Sequence, residues 1–132
     1  MLTVSEARAA ALTVAGQPIP PRVPILALID TGASCTCVDP SVLTSLGLTA
    51  TGSVSIKTPS TGVGTHSTLQ YDVGFRIPPQ TRGDSALAFP AIAVVAVDIL
   101  PAHGYHALIG RDILAHCILI YNGVTGFFSL SY

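Results

Sequence analysis

A run of mostly aliphatic residues, "VPILALI" at positions 23–29, stops at Asp30 and is followed by Thr31 and Gly32. The run does not alternate between apolar and polar residues, which predicts a strand buried on both faces. A carboxylate at the end of such a strand is costly unless hydrogen bonds or a partner compensate its charge. Gly32 lets the backbone bend so that amide groups can reach the carboxylate, and Ala33 allows close approach. The triplet therefore fits either a functional carboxylate or an Asx-turn that ends a strand.

Length and composition limit what such a chain can be. Its 132 residues predict a single domain over positions 1–132, long enough to bury a real core. Charged residues make up 10% and hydrophobic residues 49%, so little charge is available to cover a surface. We expect part of the apolar excess to lie in a subunit interface. The net charge of -1 and the lack of a Lys/Arg cluster argue against a nucleic-acid partner or anionic lipid.

Short segments rich in Val, Ile and Thr, bounded by twelve glycines and ten prolines, predict a mostly β fold. The first strand is predicted at residues 10–15 and the second at 23–29. Further strands are predicted on both sides of "TPSTG" at 58–62, at residues 87–97, and in a hairpin within residues 117–130. Asn122-Gly123 is expected at the turn of that hairpin, and "PPQTRGDS" at 78–85 is expected to be a polar loop.

Two short helices are predicted among the strands. Asp39 can cap a helix over residues 40–46, in which Pro40 fits the first position and Gly47 supplies the stop. The segment "RDILAHC", residues 111–117, can form one or two further helical turns, with an acid near its start.

Targeting signals and membrane spans are not expected. Glu6 and Arg8 occupy the place where a signal peptide needs an apolar stretch. The longest apolar run, residues 86–100, contains Pro90 and Asp98 and is too short to cross a bilayer. Three cysteines cannot all pair within one chain, so we expect reduced thiols and a cytoplasmic location.

A metal site is a second chemistry that the residue types allow. The zinc-type ligands in the chain are Cys35, Cys37, His103, His106 and Cys117. Their spacings match no compact zinc motif, and His103 and His106 belong to a Pro/Gly-flanked loop where exposure to solvent is the ordinary outcome. We therefore expect neither a metal nor another cofactor, and interpret His116-Cys117 as a capping histidine and a core thiol.

Two motifs together resemble those of one family. "ALIDTGAS" is similar to the active-site loop of retropepsin-like aspartic peptidases, and "HALIGRDIL", eighty residues later, is similar to that family's second signature. Two motifs in the right order and spacing are far more specific than either alone. The resemblance covers roughly residues 10–132, and it implies a small closed β-barrel of the acid-protease type with one or two short helices.

The resemblance also implies roles for particular residues. A single-lobe chain of this family supplies one catalytic aspartate, here Asp30, so that an active enzyme must be a homodimer that cleaves a polypeptide substrate. Thr31 would cross the dimer axis and bond the opposite loop. The segment Thr58, Pro59, Ser60, Thr61 and Gly62 would be the substrate-binding flap. The residues that would support the active-site loop are Thr31, Gly32, Ala33, Ser34, Leu108, Ile109, Gly110 and Arg111. The terminal strands, with "GFFSL", would form part of the interface.

Three departures from the family pattern are visible. Retroviral members carry an acid at the position of Ser34, which pairs with an arginine equivalent to Arg111. Here Arg111 lacks that partner, and we expect either that Asp112 or another acid such as Asp98 replaces it, or that the dimer is held together differently. The helix after Asp39 is longer than the viral pattern requires, and the flap tip has no tyrosine.

The alternative is a non-catalytic domain of the same fold that binds a peptide or a partner. The intact Thr31 and Gly32 favour the enzyme, because an idle domain does not need them. The physiological substrate, a larger precursor, the pH optimum and the strength of the dimer are beyond what these residues determine.

Overall fold

The computed structural model describes residues 1–57, 64–79, 85–99 and 104–132. Within these ranges the chain is mostly β, with nine strands and three short helices. The strands are β1 (Leu2–Val4), β2 (Ala27–Ile29), β3 (Cys37–Val38), β4 (Gly52–Ile56), β5 (His66–Ile77), β6 (Leu87–Ala96), β7 (Ala107–Ile109), β8 (Ile118–Asn122) and β9 (Phe127–Ser131). The helices are α1 (Glu6–Val14), α2 (Pro40–Ser45) and α3 (Arg111–Leu114).

Seven of the strands form one mixed sheet. The strand order is β1-β5-β6-β3-β7-β2. The seventh strand, β4, is outside this order and pairs with β5. β2 runs parallel to β7, whereas β3 runs antiparallel to β7 and parallel to β6. Among the described residues the pairings do not close into a ring, so the predicted all-β character is found without the predicted closed barrel.

Residues 10–15 were expected to form a strand, and that prediction is wrong. They belong largely to α1, whose first turn is capped by the Ser5 hydroxyl oxygen accepting from the backbone N–H of Arg8 at 3.3 Å. Four alanines within the helix favour helical backbone. The β-branched pair Thr13-Val14 suggested a strand, but capping and alanine content outweigh that local preference.

The prediction for the strand that leads to Asp30 is only partly correct. β2 covers residues 27–29 instead of 23–29, and Val23 makes an isolated bridge with Leu2. Burial on both faces is wrong, because Leu28 keeps 43% of its surface exposed. One face of β2 is therefore open, which the unbroken apolar run concealed.

α2 forms as its sequence signals predict. Asp39 is the N-cap, its carboxylate accepting from the backbone N–H of Ser41 at 3.0 Å, and Pro40 occupies the first turn. Gly47 follows the helix with φ +61, a conformation that glycine adopts without strain. Val42 and Leu43 of α2 enter the main core. The other buried members of that core are Leu2, Val4, Val38, Leu46, Val73, Phe75, Val94, Ala107, Ile109 and Ile113.

The terminal hairpin forms as predicted but with a longer turn. β8 and β9 pair antiparallel as a separate two-stranded sheet. Four residues, 123–126, connect them, and the Asn122 side chain accepts from the backbone N–H groups of Val124 and Thr125. Gly126, with φ +68, completes the turn, so Asn122-Gly123 begins the connection but does not form all of it.

No helix among the described residues is long and apolar enough to cross a membrane. The segment 86–100, the longest apolar run of the sequence, instead contributes β6, which pairs with β5 and β3.

Candidate active site

Asp30 stands where β2 ends, beside the end of β7. The parallel register pairs Leu28 with Leu108 and Ile29 with Ile109. The backbone N–H of Asp30 then donates to the carbonyl of Ile109 at 3.0 Å, which extends the pairing by one residue. The two sequence motifs, eighty residues apart, therefore meet side by side at this point of the sheet.

The Asp30 carboxylate is held by its own loop. Oδ1 accepts from the backbone N–H of Gly32 at 2.9 Å and from that of Ala33 at 3.2 Å. A Cβ at position 32 would lie 3.1 Å from Oδ1, so a larger residue would crowd this contact. Asp30 is half-buried, and its other carboxylate oxygen accepts no hydrogen bond within the described part of the chain. The carboxylate is thus oriented through one oxygen and open through the other.

Arg111 contacts the active-site loop through carbonyl groups and not through an acid. Its Nη1 donates to the carbonyl oxygens of Thr31 at 3.0 Å and Gly32 at 3.3 Å. Its backbone N–H donates to the carbonyl of Ala33 at 3.0 Å. Among the described residues neither Asp112 nor Asp98 pairs with Arg111, and the Arg111 Nη1 binds these two loop carbonyls instead.

Asp112 instead fixes Thr36, a residue that the sequence did not single out. Asp112 Oδ2 accepts from the Thr36 backbone N–H at 2.8 Å, and Oδ1 accepts from its hydroxyl at 2.8 Å. The same hydroxyl accepts from the backbone N–H of Gly110 at 3.1 Å. A Cβ at position 110 would lie 2.5 Å from the Cys35 carbonyl carbon and oxygen, so only glycine permits this approach. The loop after Asp30 is thereby locked to the second motif.

His106 is also better connected than its loop composition indicated. It is half-buried, and its Nδ1 accepts from the backbone N–H of Leu26 at 3.0 Å. Its own backbone N–H donates to the Leu26 carbonyl at 2.8 Å. These bonds continue the β2–β7 pairing on the side away from Asp30, so the predicted exposure of His106 is wrong.

The three cysteines are all free thiols of intermediate exposure. Cys37 lies in β3, and its Sγ is 3.7 Å from the carbonyl oxygen of Cys35. Burial, followed by the neighbouring Cys35 thiol and the Asp112 carboxylate, raises the pKa of Cys37 from 9.0 to about 12. Burial also raises the pKa of Cys117. Within the described residues no three His, Cys, Asp or Glu side chains form a group that could hold a metal ion.

The structure brings together most of the residues predicted to support the active-site loop. Gly32, Ala33, Ile109, Gly110 and Arg111 make the contacts given above, and Leu108 lies in the β7 strand paired with β2. Thr31 and Ser34 are exposed. The predicted flap residues Thr58, Pro59, Ser60, Thr61 and Gly62, and also His103, lie outside the described residues. Thr36 carried no recognisable signal, since its partners are more than seventy residues away.

The chain is mostly β, and two backbone amides of the Asp-Thr-Gly loop orient the Asp30 carboxylate. These features are those of a protein whose functional group is a carboxylate held in one orientation. A family model described as aspartyl protease matches residues 10–113, the greater part of the chain. The chain therefore belongs to the aspartyl protease family, which confirms the resemblance seen in its two motifs. No curated protein and no solved structure gives a significant match.

Proposed function

We propose that the chain is an aspartic endopeptidase in which two Asp30 carboxylates, one from each subunit of a homodimer, activate a water molecule. The observation that carries the proposal is the state of the Asp30 carboxylate. One oxygen is fixed by two amide groups at 2.9 and 3.2 Å, and the other is left open for a water or a second carboxylate. Membership of the aspartyl protease family supports the same reaction.

A single chain supplies only half of the groups that this reaction needs. The sequence contains one Asp-Thr-Gly triplet. Two carboxylates a few ångström apart cannot both ionise cheaply, so the pair holds one proton and titrates as a unit, as in aspartic-protease dyads generally. The charged member takes a proton from the shared water, which attacks the peptide carbonyl, and the protonated member donates toward the carbonyl oxygen. Neither a cofactor nor a covalent intermediate is required.

The terminal hairpin supports dimerisation. Ile118, Ile120 and Phe127 lie on one face of it because β8 and β9 pair Ile118 with Ser131, Ile120 with Ser129 and Asn122 with Phe127. Ile120 is 63% exposed and Phe127 72% exposed. An isolated two-stranded hairpin is marginally stable in water, and large exposed apolar side chains grouped on one face indicate an interaction site. A second copy of the chain would cover it.

The open face of β2 supports an apolar substrate. Side chains two residues apart in a strand point to the same face, so Leu28 and Asp30 share one face. Leu28 is 43% exposed there. We therefore propose extended polypeptides with apolar side chains as substrates, covered by a flap at Thr58 to Gly62 between β4 and β5. A cytoplasmic location and a single domain over residues 1–132 are further parts of this proposal, the former supported by three free thiols.

The proposal is tested by replacing Asp30 with Asn and assaying a peptide library from about pH 4 to 7. Cleavage should fall by about 10²–10⁴-fold or more, because asparagine cannot exchange a proton with the water. Asp72→Asn is the matched control, since Asp72 is exposed on β5 and should leave cleavage unchanged. Equal cleavage by the Asp30→Asn protein would remove the assignment. A folded protein that binds peptides without cutting them would favour the binding domain instead.

A further inference from the structure

Two of the three cysteines lie in the segment that follows the active-site loop, and their side chains contact each other. Cys35 and Cys37 are two residues apart, and the Cys35 side chain lies within hydrogen-bonding reach of the Cys37 thiol. The Cys37 Sγ also donates to the Cys35 carbonyl at 3.7 Å. Cys35 lies in the bend that leads into β3, and Cys37 is the first residue of β3, so only Thr36 separates the two thiols along the chain.

The backbone on which these two thiols stand is held in place at several points. Thr36, the residue between them, is fully buried and is bound by Asp112 through both its backbone N–H and its hydroxyl. The Cys35 backbone packs directly on Gly110, and β3 pairs Cys37 with Val95 and Leu108. The backbone that carries the two thiols is therefore fixed by these contacts.

We propose that Cys35 and Cys37 form a redox-active dithiol, which a hydroperoxide oxidises to an intramolecular disulfide. Both residues are half-buried, so a molecule as small as hydrogen peroxide can reach them. A disulfide that spans two residues closes a small, strained ring, and strained disulfides are the readily reduced, regulatory ones. The modification is therefore reversible.

The order of events follows from the surroundings of the two thiols. Burial and nearby negative charge raise the pKa of Cys37 and disfavour its thiolate, so in the proposed sequence Cys35 is the thiol that reacts with the peroxide. The Cys35 thiolate sulfur attacks one peroxide oxygen, the O–O bond breaks, and the hydroxide released takes up a proton to leave as water. Cys35 is then a sulfenic acid.

Disulfide formation follows within the same chain. The Cys37 sulfur attacks the Cys35 sulfur, the S–O bond breaks, and the hydroxyl leaves with the Cys37 proton as a second water. Two thiols and one peroxide thus give one disulfide and two waters, with two electrons passing from sulfur to oxygen. A dithiol reductant reverses the change and is itself oxidised to a disulfide.

The test is chemical and does not depend on peptidase activity. Reduced protein is titrated with hydrogen peroxide, the remaining thiols are alkylated after the protein is unfolded in denaturant, and the disulfides are mapped by non-reducing digestion and mass spectrometry. The wild type and the Cys117→Ser control should both lose the Cys35 and Cys37 thiols together and regain them with dithiothreitol. Cys37→Ser should stop at a sulfenic acid on Cys35, which dimedone traps.

Three results would overturn the inference. Cys35 and Cys37 could oxidise independently without linking, the disulfide could join two different chains, or it could involve Cys117. Each is visible in the wild-type map, so the test remains decisive even if a serine variant does not fold.

A second readout rests on the proposed function. Cys35 lies five residues after Asp30, and a displacement of about 1 Å at a catalytic group can cost about a hundredfold in rate. Oxidised protein should therefore lose peptidase activity by up to about that factor and recover it with dithiothreitol. Absence of cleavage in both redox states would count against the proposed function alone, because the disulfide map is read separately.

Discussion

At the residue scale, the candidate site depends on side chains that bind backbone groups of the active-site loop. Arg111 donates to two loop carbonyls, and Asp112 accepts from both donors of Thr36. Every bond of this set joins positions more than seventy residues apart. Such bonds orient Asp30 without touching it, so changes to them should first alter stability and the precision of the loop.

Thr36→Val should destabilise the protein because valine has the size of threonine but no hydroxyl. The substitution leaves the Gly110 N–H without its acceptor and removes the donor to Asp112, in a fully buried place. We expect a loss of about 1–3 kcal/mol in the free energy of unfolding, measured with urea. Thr36→Ser keeps the hydroxyl and should cost only about 1 kcal/mol, the contribution of one buried methyl group. Equal losses in the two variants would contradict a role for the hydroxyl.

Cys37 should react with iodoacetamide only at unusually high pH. Its pKa is raised from 9.0 to about 12, chiefly by burial, so it stays a neutral thiol at pH where an ordinary cysteine is a thiolate. Alkylation followed by mass spectrometry should show the rate still rising above pH 9. Because the folded-state pKa exceeds the unfolded one, Cys37 also reduces stability as pH rises from about 9 toward 12. A rate that levels off near pH 9 would contradict the raised pKa.

At the element scale, α2 was predictable because its signals are local. Asp39, Pro40 and Gly47 mark its ends within nine consecutive positions. α1 was not, because the β-branched residues near its end resemble a strand and its helical backbone depends on the Ser5 cap and the alanines before them. The prediction that β2 is buried on both faces was also wrong, because a run of apolar residues does not show which face of a strand the rest of the protein covers.

Asp39→Ala should destabilise helix α2 and the segment after β6 that Asp39 also binds. Asp39 Oδ1 accepts from Ser41 in the first turn of α2, and Oδ2 accepts from the backbone N–H of Ile99 at 3.1 Å. Loss of the cap costs about 0.5–2 kcal/mol, and the unsatisfied buried N–H adds about 1–3 kcal/mol. Urea denaturation measures the sum. Asp39→Asn keeps an acceptor at the cap and should lose clearly less, and an equal loss would argue against capping.

At the scale of the whole molecule, the terminal hairpin is the least integrated part of the described chain. It forms its own two-stranded sheet, and its contacts with the main body include the Tyr132 hydroxyl, which donates to the Pro78 carbonyl at 3.2 Å. The edge contact between the His116 and Phe89 rings lies just before β8. An apolar hairpin with so few contacts to the rest of its own chain is consistent with a surface that a second subunit covers.

Ile120→Lys should weaken the proposed homodimer. The charge would enter the apolar face of the hairpin, so sedimentation equilibrium should show dissociation at higher protein concentration than for the wild type. Peptidase activity should fall most at low concentration, where the dimer dissociates. Val14→Lys is the matched control, because Val14 is 90% exposed on α1, away from the hairpin. A wild type that is monomeric at all concentrations, yet active, would contradict the dimer.

The sequence by itself determined the local features: the Asp30-Thr31-Gly32 loop, the capped helix α2, the long strand β6 and the apolar terminal hairpin. Each is encoded by neighbouring residues through capping, turn chemistry or the length of an apolar run. Only the tertiary structure decided which groups Arg111 and Asp112 bind, that Thr36 joins them, and which face of β2 stays open. These contacts and this exposure depend on β7 lying beside β2 and β3. The spacing of neighbouring residues in the sequence does not show which distant segments pair.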